Sequence, residues 1–513
     1  MPDLFRRTAR WYANEPAFVQ GDGDAEYTYG EAYEEACRFA NALADAGVGR
    51  GDRVALLSRA RTDHAVAYLG TQLVGGVPAT VHDRESVADI VEMVRDIRPD
   101  ALVFQGRFSD AAVACESEVE SIHRFVVQND GTGSPGFAES FESFVSAGSP
   151  SDPGVEVAPD DVGTINFSSG TTGRPKGVVH THRNLVWSCH LGHYFYEAGD
   201  GDVGLFALAP SFVAWPDQVL TWVSAGATVV FLEEFDESAV LDAVERDRVT
   251  SLTLVPTHWN RLLSAGLGRR DLDSLRTVGY SGAAIDEDTL SGLVDAFPDA
   301  VFTAYGSTET LNAVTKLSSA YLDEDARGNL GRPVPGVDVR VVEPESTDPT
   351  AELPDGEVGE IAMSGPCIAR EVWENRSATE SAFEDGWWFS GDLGRIGPDG
   401  GLHFEGRTDN MIVSGGINIY AERVESVLER HESVREAAVV GVPDDEWGER
   451  VAAVVVATGG DVDREVLDGW CREDDRLADY QRPREYAFVE TLPRTATGKV
   501  DHESLRDRLA GDR

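Results

Sequence analysis

Three apolar runs in the middle of the chain each lead straight into a loop of small residues. Residues 162–167 run into SSGTTG at 168–173, residues 277–280 into SGA at 281–283, and residues 301–304 into YGSTE at 305–309. Upstream, 54–57, 101–104 and 125–127 read as short strands, and 62–74 has helical spacing. Such alternation predicts an α/β architecture with largely parallel sheets. In open α/β sheets, ligands bind beyond the carboxyl ends of the strands, so three such loops can converge on one ligand. Three ordinary βα turns, which also favour Gly and Ser, are the alternative.

The pattern changes after residue 406. Residues 402–405 close a strand. Residues 421–432 then read as an amphipathic helix, and 437–442, 451–457 and 485–489 as short strands. The expectation is a large N-terminal domain over residues 1–406 and a small α+β domain over 407–513, within the usual domain range. Segments 129–160 and 343–356, rich in Pro, Gly, Asp and Ser, read as surface loops.

The formal charge of −46, from 44 basic and 90 acidic side chains, is spread along the whole chain. It excludes nucleic acid or an anionic membrane as the main partner, because both need a basic face. With so few lysines, it resembles a protein adapted to a high-salt cytoplasm, where screening tames self-repulsion. An anionic ligand then needs a locally positive pocket. The five cysteines show no CxxC or Cys/His metal spacing and read as buried free thiols. Residues 1–16 lack the apolar stretch of a signal peptide, and no apolar run is long enough to span a bilayer. The expectation is a soluble, cytoplasmic protein.

Only three of the 44 basic residues are lysines: Lys176, Lys316 and Lys499. Two of them close Gly/Thr-rich strings, SSGTTGRPKG at 168–177 and PRTATGK at 493–499. Lysine is a compact point charge where arginine is a planar fork, and it is a habitual phosphate binder. Glycines let backbone N–H groups approach an anion, and hydroxyls add donors. Ser168, Ser169, Gly170, Thr171, Thr172, Gly173 and Lys176 thus fit a triphosphate, although the string is not a P-loop of the GxxxxGK[ST] form. Glu309 follows Thr308 at a strand end. A carboxylate there repels phosphate unless a cation lies between, which points to Mg²⁺; a Glu at a helix start is the alternative. Asp392, in WWFSGD at 387–392, could hold a ribose diol or cap a turn. His180, His182, His190 and His193 follow the phosphate string and read as structural.

The strings FSSGTTGRPKG (167–177), YGSTET (305–310), WFSGD (388–392), GRTDNMIVSGGINI (406–419) and PRTATGK (493–499) occur in this order. Together they resemble the adenylate-forming superfamily of acyl-CoA synthetases, aryl-CoA ligases, adenylation domains and luciferases. A nearer resemblance is to benzoate- and chlorobenzoate-type CoA ligases. It is carried by EEF at 233–235, VTSL at 249–252, PTH at 256–258, LDSLR at 272–276, YGSTETLN at 305–312, WG at 447–448 and LADYQRP at 477–483.

The resemblance implies stacked α/β subdomains with a small β-barrel-like part, followed by a mobile C-terminal domain. It implies that a carboxylate attacks the α-phosphate of MgATP, giving acyl-adenylate and pyrophosphate, and that coenzyme A then displaces AMP. By the same resemblance, the 168–176 string holds the β- and γ-phosphates, and Thr308 and Glu309 serve the α-phosphate and the metal. Gly282, Ala283, Ala284, Tyr305 and Gly306 flank the nucleotide, and Asp392 and Arg407 bind the ribose. Lys499 bridges the carboxylate and the α-phosphate. Asp409 is the hinge, and Gly415 and Gly416 line the pantetheine tunnel. Trp447, Tyr480, Arg482 and Arg484 meet the coenzyme A nucleotide; a core tryptophan and paired surface arginines are the alternative.

The acyl-pocket candidates are Phe212, Trp215, Tyr280, Ser281, Leu311 and Asn312. One departure stands out. Related ligases often carry a pocket His where this chain reads PSFVAW at 210–215, so Phe212 or Trp215 takes the aromatic role. The expected substrate is an aryl or medium-sized acyl acid, with fatty acids, or transfer to a carrier protein, as alternatives. A homodimer is an open expectation.

Overall fold

The computed structural model describes all residues except 22–25, 169–174, 284, 319–321, 323–327, 345, 445–446, 460–461, 475, 495–499 and 512–513. The chain divides into two compact units: Met1–Asp338 with Ser364–Trp388, and Val339–Met363 with Phe389–Arg513.

The first unit is layered. One sheet runs in the order Glu371–Val372, Lys176–Thr181, Val162–Ser168, Val77–Thr80, Arg53–Leu57, Ala101–Gln105, Arg124–Gln128, Glu139–Ser140. It is parallel except around Lys176–Thr181. In a second sheet, Val301–Gly306, Thr277–Tyr280, Ser251–Leu254, Val203–Phe206, Thr228–Phe231 and Pro16–Gln20 run parallel side by side. Strand side chains alternate between faces, and the cores follow. Val54 and Leu56 join Phe18, Phe206 and Phe231 in one core that also buries helices Tyr29–Asp45 and Thr62–Leu73. Ala55 and Leu57 face the opposite way, onto helices Val87–Ile97 and Ser109–Glu118. Leu205 and Val230 face helices Glu237–Asp247 and Pro256–Ala265 in a third core. Helix, sheet, helix, sheet, helix is the resulting stack. Helix Thr62–Leu73 lies inside and is buried nearly all round, its polar Thr62, His64, Thr71 and Gln72 included.

Gly204 lies where this stack is tightest. A Cβ there would fall 2.2 Å from ring carbons of the fully buried Trp222. Gly204→Ala is expected to cost about 1–3 kcal/mol by overpacking, read as a lower urea midpoint at unchanged slope.

In the second unit, strands Asp338–Val342, Gly359–Ser364, Trp387–Ile396 and Leu402–Arg407 lie side by side. A further sheet holds Ile417–Tyr420, Met411–Ser414, Gly448–Ala457 and Val434–Asp444, with Glu485–Val489 added in parallel. Val439, Val451 and Val455 face helices Ala421–Leu428 and Arg464–Glu473. Val440, Val454 and Val456 face helix His502–Gly511 through Leu505.

Residues 129–160 depart from the loop reading. Ser140 caps a short helix, Phe141–Ala147, whose Phe141, Phe144 and Val145 are buried. Three apolar anchors at helical spacing outweigh a loop-like composition.

Candidate active site

The site residues of the first unit sit at strand ends. Strands Val162–Ser168 and Lys176–Thr181 form a hairpin whose last pair is Ser168 opposite Lys176. Ser169, Gly170, Thr171, Thr172 and Gly173 lie outside the described residues, as do Ala284 and Lys499. The bases of two of these loops are described. Ser168 and Lys176 close the first, and an antiparallel bridge between Arg494 and Val500 brackets the string that ends in Lys499.

Thr277–Tyr280 and Val301–Gly306 are adjacent parallel strands with Tyr280 beside Thr303. Their carboxyl ends therefore place Ser281, Gly282 and Ala283 next to Tyr305 and Gly306. Gly306 must be glycine, because a Cβ would lie 2.5 Å from the Asn312 carbonyl. The turn Thr308–Thr310 follows. The backbone N–H of Glu309 donates to Ser307 Oγ (3.1 Å), whose own hydroxyl donates to Glu309 Oε2 (2.9 Å). Leu311 then takes φ +59, a left-handed conformation that costs a non-glycine residue on the order of 1–3 kcal/mol.

His180 joins the hairpin to this turn. It is fully buried on the Lys176–Thr181 strand, and its Nε2–H donates to the Thr308 carbonyl at 2.8 Å. Burial pushes its pKa down to about 4, so the ring is neutral at pH 7. A second tie runs through the backbone: Ala369 N–H donates to the Glu309 carbonyl (2.7 Å), while Glu371–Val372 pairs with Val178 and Val179. The hairpin that carries Ser168 and Lys176 and the Thr308–Glu309 turn are thus held in one frame. His180→Ala is expected to lower kcat/KM for ATP by about 10–100-fold, the scale of a 1 Å misplacement, measured as acid-dependent pyrophosphate release.

The aromatic candidates separate. Phe212 contacts His82 (5.9 Å between ring centroids), and His82 Nε2 bonds the Phe167 carbonyl at 3.1 Å, directly before Ser168. Trp215 is in the core, stacked on Phe231 and edge-on to His64 and Phe206. Tyr280 and Leu311 are buried as well. Asn312 is 3% exposed and donates to the Ser188 carbonyl at 3.0 Å. Lys316, the third lysine, lies over the rings of Tyr194, Phe195 and Phe302 and donates to two carbonyls of helix His182–Tyr196. It is a structural cation.

In the second unit, Asp392 and Arg407 are cross-strand partners, and Arg407 Nη1 donates to Asp392 Oδ1 at 2.6 Å. Asp409 lies in the turn Thr408–Asn410, and its carbonyl accepts from Arg506 at 3.4 Å. Gly415 and Gly416 form a two-residue hairpin turn between Ser414 and Ile417, both with positive φ. That is the conformation only glycine takes freely. A Cβ on Gly415 would come within 2.8 Å of the exposed Trp447 ring. Tyr480 is exposed and Arg484 pairs with Asp479. Arg482 is buried and ion-paired with Asp468 and Asp479.

Sequence reasoning did not single out His82, and it read His180 as structural without the Thr308 carbonyl that the fold brings to it. Only His82 had a readable signal, at the carboxyl end of a parallel strand. The described residues contain no group of three or more His, Cys, Asp or Glu able to hold a metal, and no helix long and apolar enough to cross a membrane.

Comparison with known proteins agrees with this geometry. The family model for AMP-binding enzymes matches residues 5–373, and that for the AMP-binding enzyme C-terminal domain matches 423–499. The chain belongs to the AMP-binding enzyme family, and it is an AMP-forming acid–thiol ligase. A feruloyl-CoA synthase from Amycolatopsis sp is 34% identical over 491 residues, 95% of each chain. A 4-chlorobenzoate–CoA ligase from Arthrobacter sp is 30% identical over 505 residues, 96% of this chain and 92% of that one. Among solved structures, an anthranilate–CoA ligase in complex with anthranoyl-AMP superposes with a TM-score of 0.88 at 25% identity, covering 100% of this chain and 98% of that one.

Proposed function

We propose that the acid is an aryl or medium-sized acyl acid, that ATP activates it as the acyl-adenylate, and that coenzyme A is the accepting thiol. The observation that carries this reading is the His180 tether, which sets the Thr308–Glu309 turn against the root of the phosphate string. Relatives named for ferulate, chlorobenzoate and anthranilate support an aryl acid.

On this reading, backbone and hydroxyl donors of 168–173, with Lys176, hold the β- and γ-phosphates. Thr308 faces the α-phosphate. Gly282, Ala283, Ala284, Tyr305 and Gly306 flank the nucleotide. In the second unit, Asp392 takes the ribose hydroxyls, oriented by Arg407. Lys499 stabilises the charge that grows on the α-phosphate as the carboxylate attacks. Phe212, Trp215, Tyr280, Ser281, Leu311 and Asn312 shape the acyl side. A single carboxylate, Glu309, beside substrate phosphates suits Mg²⁺, which prefers one or two carboxylates plus phosphate oxygens. When bound, the ion supplies charge neutralisation on the triphosphate.

Asp409 is the hinge about which the C-terminal domain (407–513) turns between half-reactions. Gly415 and Gly416 then line the pantetheine path, and Trp447, Tyr480, Arg482 and Arg484 meet the coenzyme A nucleotide. Arg482 would have to exchange its aspartate partners for phosphate, whereas Trp447 and Tyr480 are already exposed. The acidic surface suits a high-salt cytoplasm and small-molecule partners.

Acid-dependent pyrophosphate release in molar KCl tests the reading, over benzoates and C2–C16 fatty acids, with and without coenzyme A. Coenzyme A-dependent turnover of benzoates supports it. Turnover of long-chain alkyl acids alone replaces it with a fatty acyl-CoA synthetase.

A further inference from the structure

A carboxylate lies against the turn that carries Asp409. Helix Ala421–Leu428 follows the turn Thr408–Asn410 and packs back on strand Leu402–Arg407, which precedes it. Glu422, in the first turn of that helix, meets both sides of the turn. Its Oε1 accepts from Asn410 Nδ2 at 2.8 Å. Its Oε2 is buried with no hydrogen-bond partner among the described residues. A Cβ on Gly406 would fall 2.4 Å from that oxygen, so only glycine lets the carboxylate lie this close to the strand end. A buried carboxylate oxygen without a donor is costly when charged, and protonation turns it from an unmet acceptor into a donor.

The charged groups around it have other partners. Glu425, one helical turn on, accepts from His502 Nε2 (2.9 Å) and from the Val439 N–H (2.7 Å). Arg407 pairs with Asp392 and Asp409, and Arg395 with Glu405. Arg506, on the last helix, donates to the Asp409 carbonyl at 3.4 Å. Turning the C-terminal domain about Asp409 carries Asn410 and Glu422 together but draws Glu422 off Gly406, which stays with the strand.

Resting on the proposed hinge at Asp409, we infer that Glu422 is a positioning residue for the domain rotation: its neutral carboxyl holds the domain against Gly406, and its ionised form releases it. Burial, and then the Glu425 carboxylate, lift the Glu422 pKa from 4.5 to about 6, against the Asn410 amide and the His502 charge. A group whose pKa an arrangement raises favours that arrangement when protonated. The hold is therefore full below about pH 4.5 and lost as pH rises to about 6. The difference between the two values limits the change in the hinge equilibrium to about thirtyfold.

The test follows two half-reactions in molar KCl between about pH 5 and pH 8. One is pyrophosphate release with benzoate, or the fastest acid of the series above; the other is transfer from its supplied adenylate to coenzyme A. At each pH the rate of Glu422→Gln is divided by that of the unsubstituted protein, which cancels the pH dependence of the chemistry. The amide keeps the shape and the Asn410 bond but stays neutral. The half-reactions draw on the two arrangements of one equilibrium. At about pH 8 the variant should therefore speed one and slow the other, splitting the two ratios by about threefold to thirtyfold. At about pH 5, where Glu422 is itself mostly protonated, the split should shrink severalfold. His502→Gln removes the neighbouring titrating group and should leave the split in place; its disappearance would pass the role to His502 and overturn the inference. A Glu422 needed only for folding would lower both half-reactions and the melting temperature alike at every pH, which also overturns it. Asp409→Pro, which fixes φ in the turn, tests the hinge separately. It should unbalance the half-reactions by about tenfold or more. If it leaves them balanced, the hinge reading falls and this inference with it. If it unbalances them while Glu422→Gln gives no split, only the inference falls.

Discussion

Lys499→Ala is expected to lower acid-dependent pyrophosphate release by about 10²–10³-fold, the scale of losing one preorganised donor to a developing anion. Transfer from supplied acyl-adenylate to coenzyme A should change by less than about threefold, because that step attacks the acyl carbon and not the α-phosphate, so it does not use the transition state that Lys499 is proposed to stabilise. The contrast between the half-reactions is what makes the prediction specific. A residue needed only for folding would lower both. Lys499→Arg should rescue poorly, since a planar fork does not replace a compact ammonium in a tight site. The scarcity of lysine sharpens the point: three residues carry the type, and Lys316 is accounted for by aromatic faces and helix carbonyls. An equal loss in both half-reactions would refute the role.

What the sequence made legible and what it did not divide along local and non-local lines. Strand-then-glycine runs are local, and 54–57, 101–104 and 277–280 appear as strands Arg53–Leu57, Ala101–Gln105 and Thr277–Tyr280. The Gly415–Gly416 turn was also readable, because only glycine takes positive φ twice in succession without strain. The Tyr196–Asp217 hydrogen bond was not, because the two residues lie 21 positions apart with no sequence period to pair them. His180 looked like one of four histidines after a loop, and only the fold brings the Thr308 carbonyl to it. Arg482 illustrates the opposite error of omission. Its charge was visible, but its buried pairing with Asp468 was not, because ion pairs across 14 positions leave no sequence period.

Glu309→Gln is expected to reduce kcat for pyrophosphate release by about 10²-fold and to raise the Mg²⁺ concentration needed for half-maximal rate. The substitution keeps the side chain's shape and can keep its bond from the Ser307 hydroxyl, now to the amide oxygen. The turn is also held by the Ser307–Thr310 cap and by the Ala369 N–H on the Glu309 carbonyl, neither of which involves the carboxylate. Folding should therefore survive, and the melting temperature should move by no more than a few degrees. What is lost is one negative charge facing the triphosphate. On the proposed reading, the metal then depends more on phosphate oxygens and water. The loss should be smaller at saturating Mg²⁺ than at limiting Mg²⁺. A metal-independent defect of the same size at every Mg²⁺ concentration would show instead that Glu309 acts only by shaping the turn.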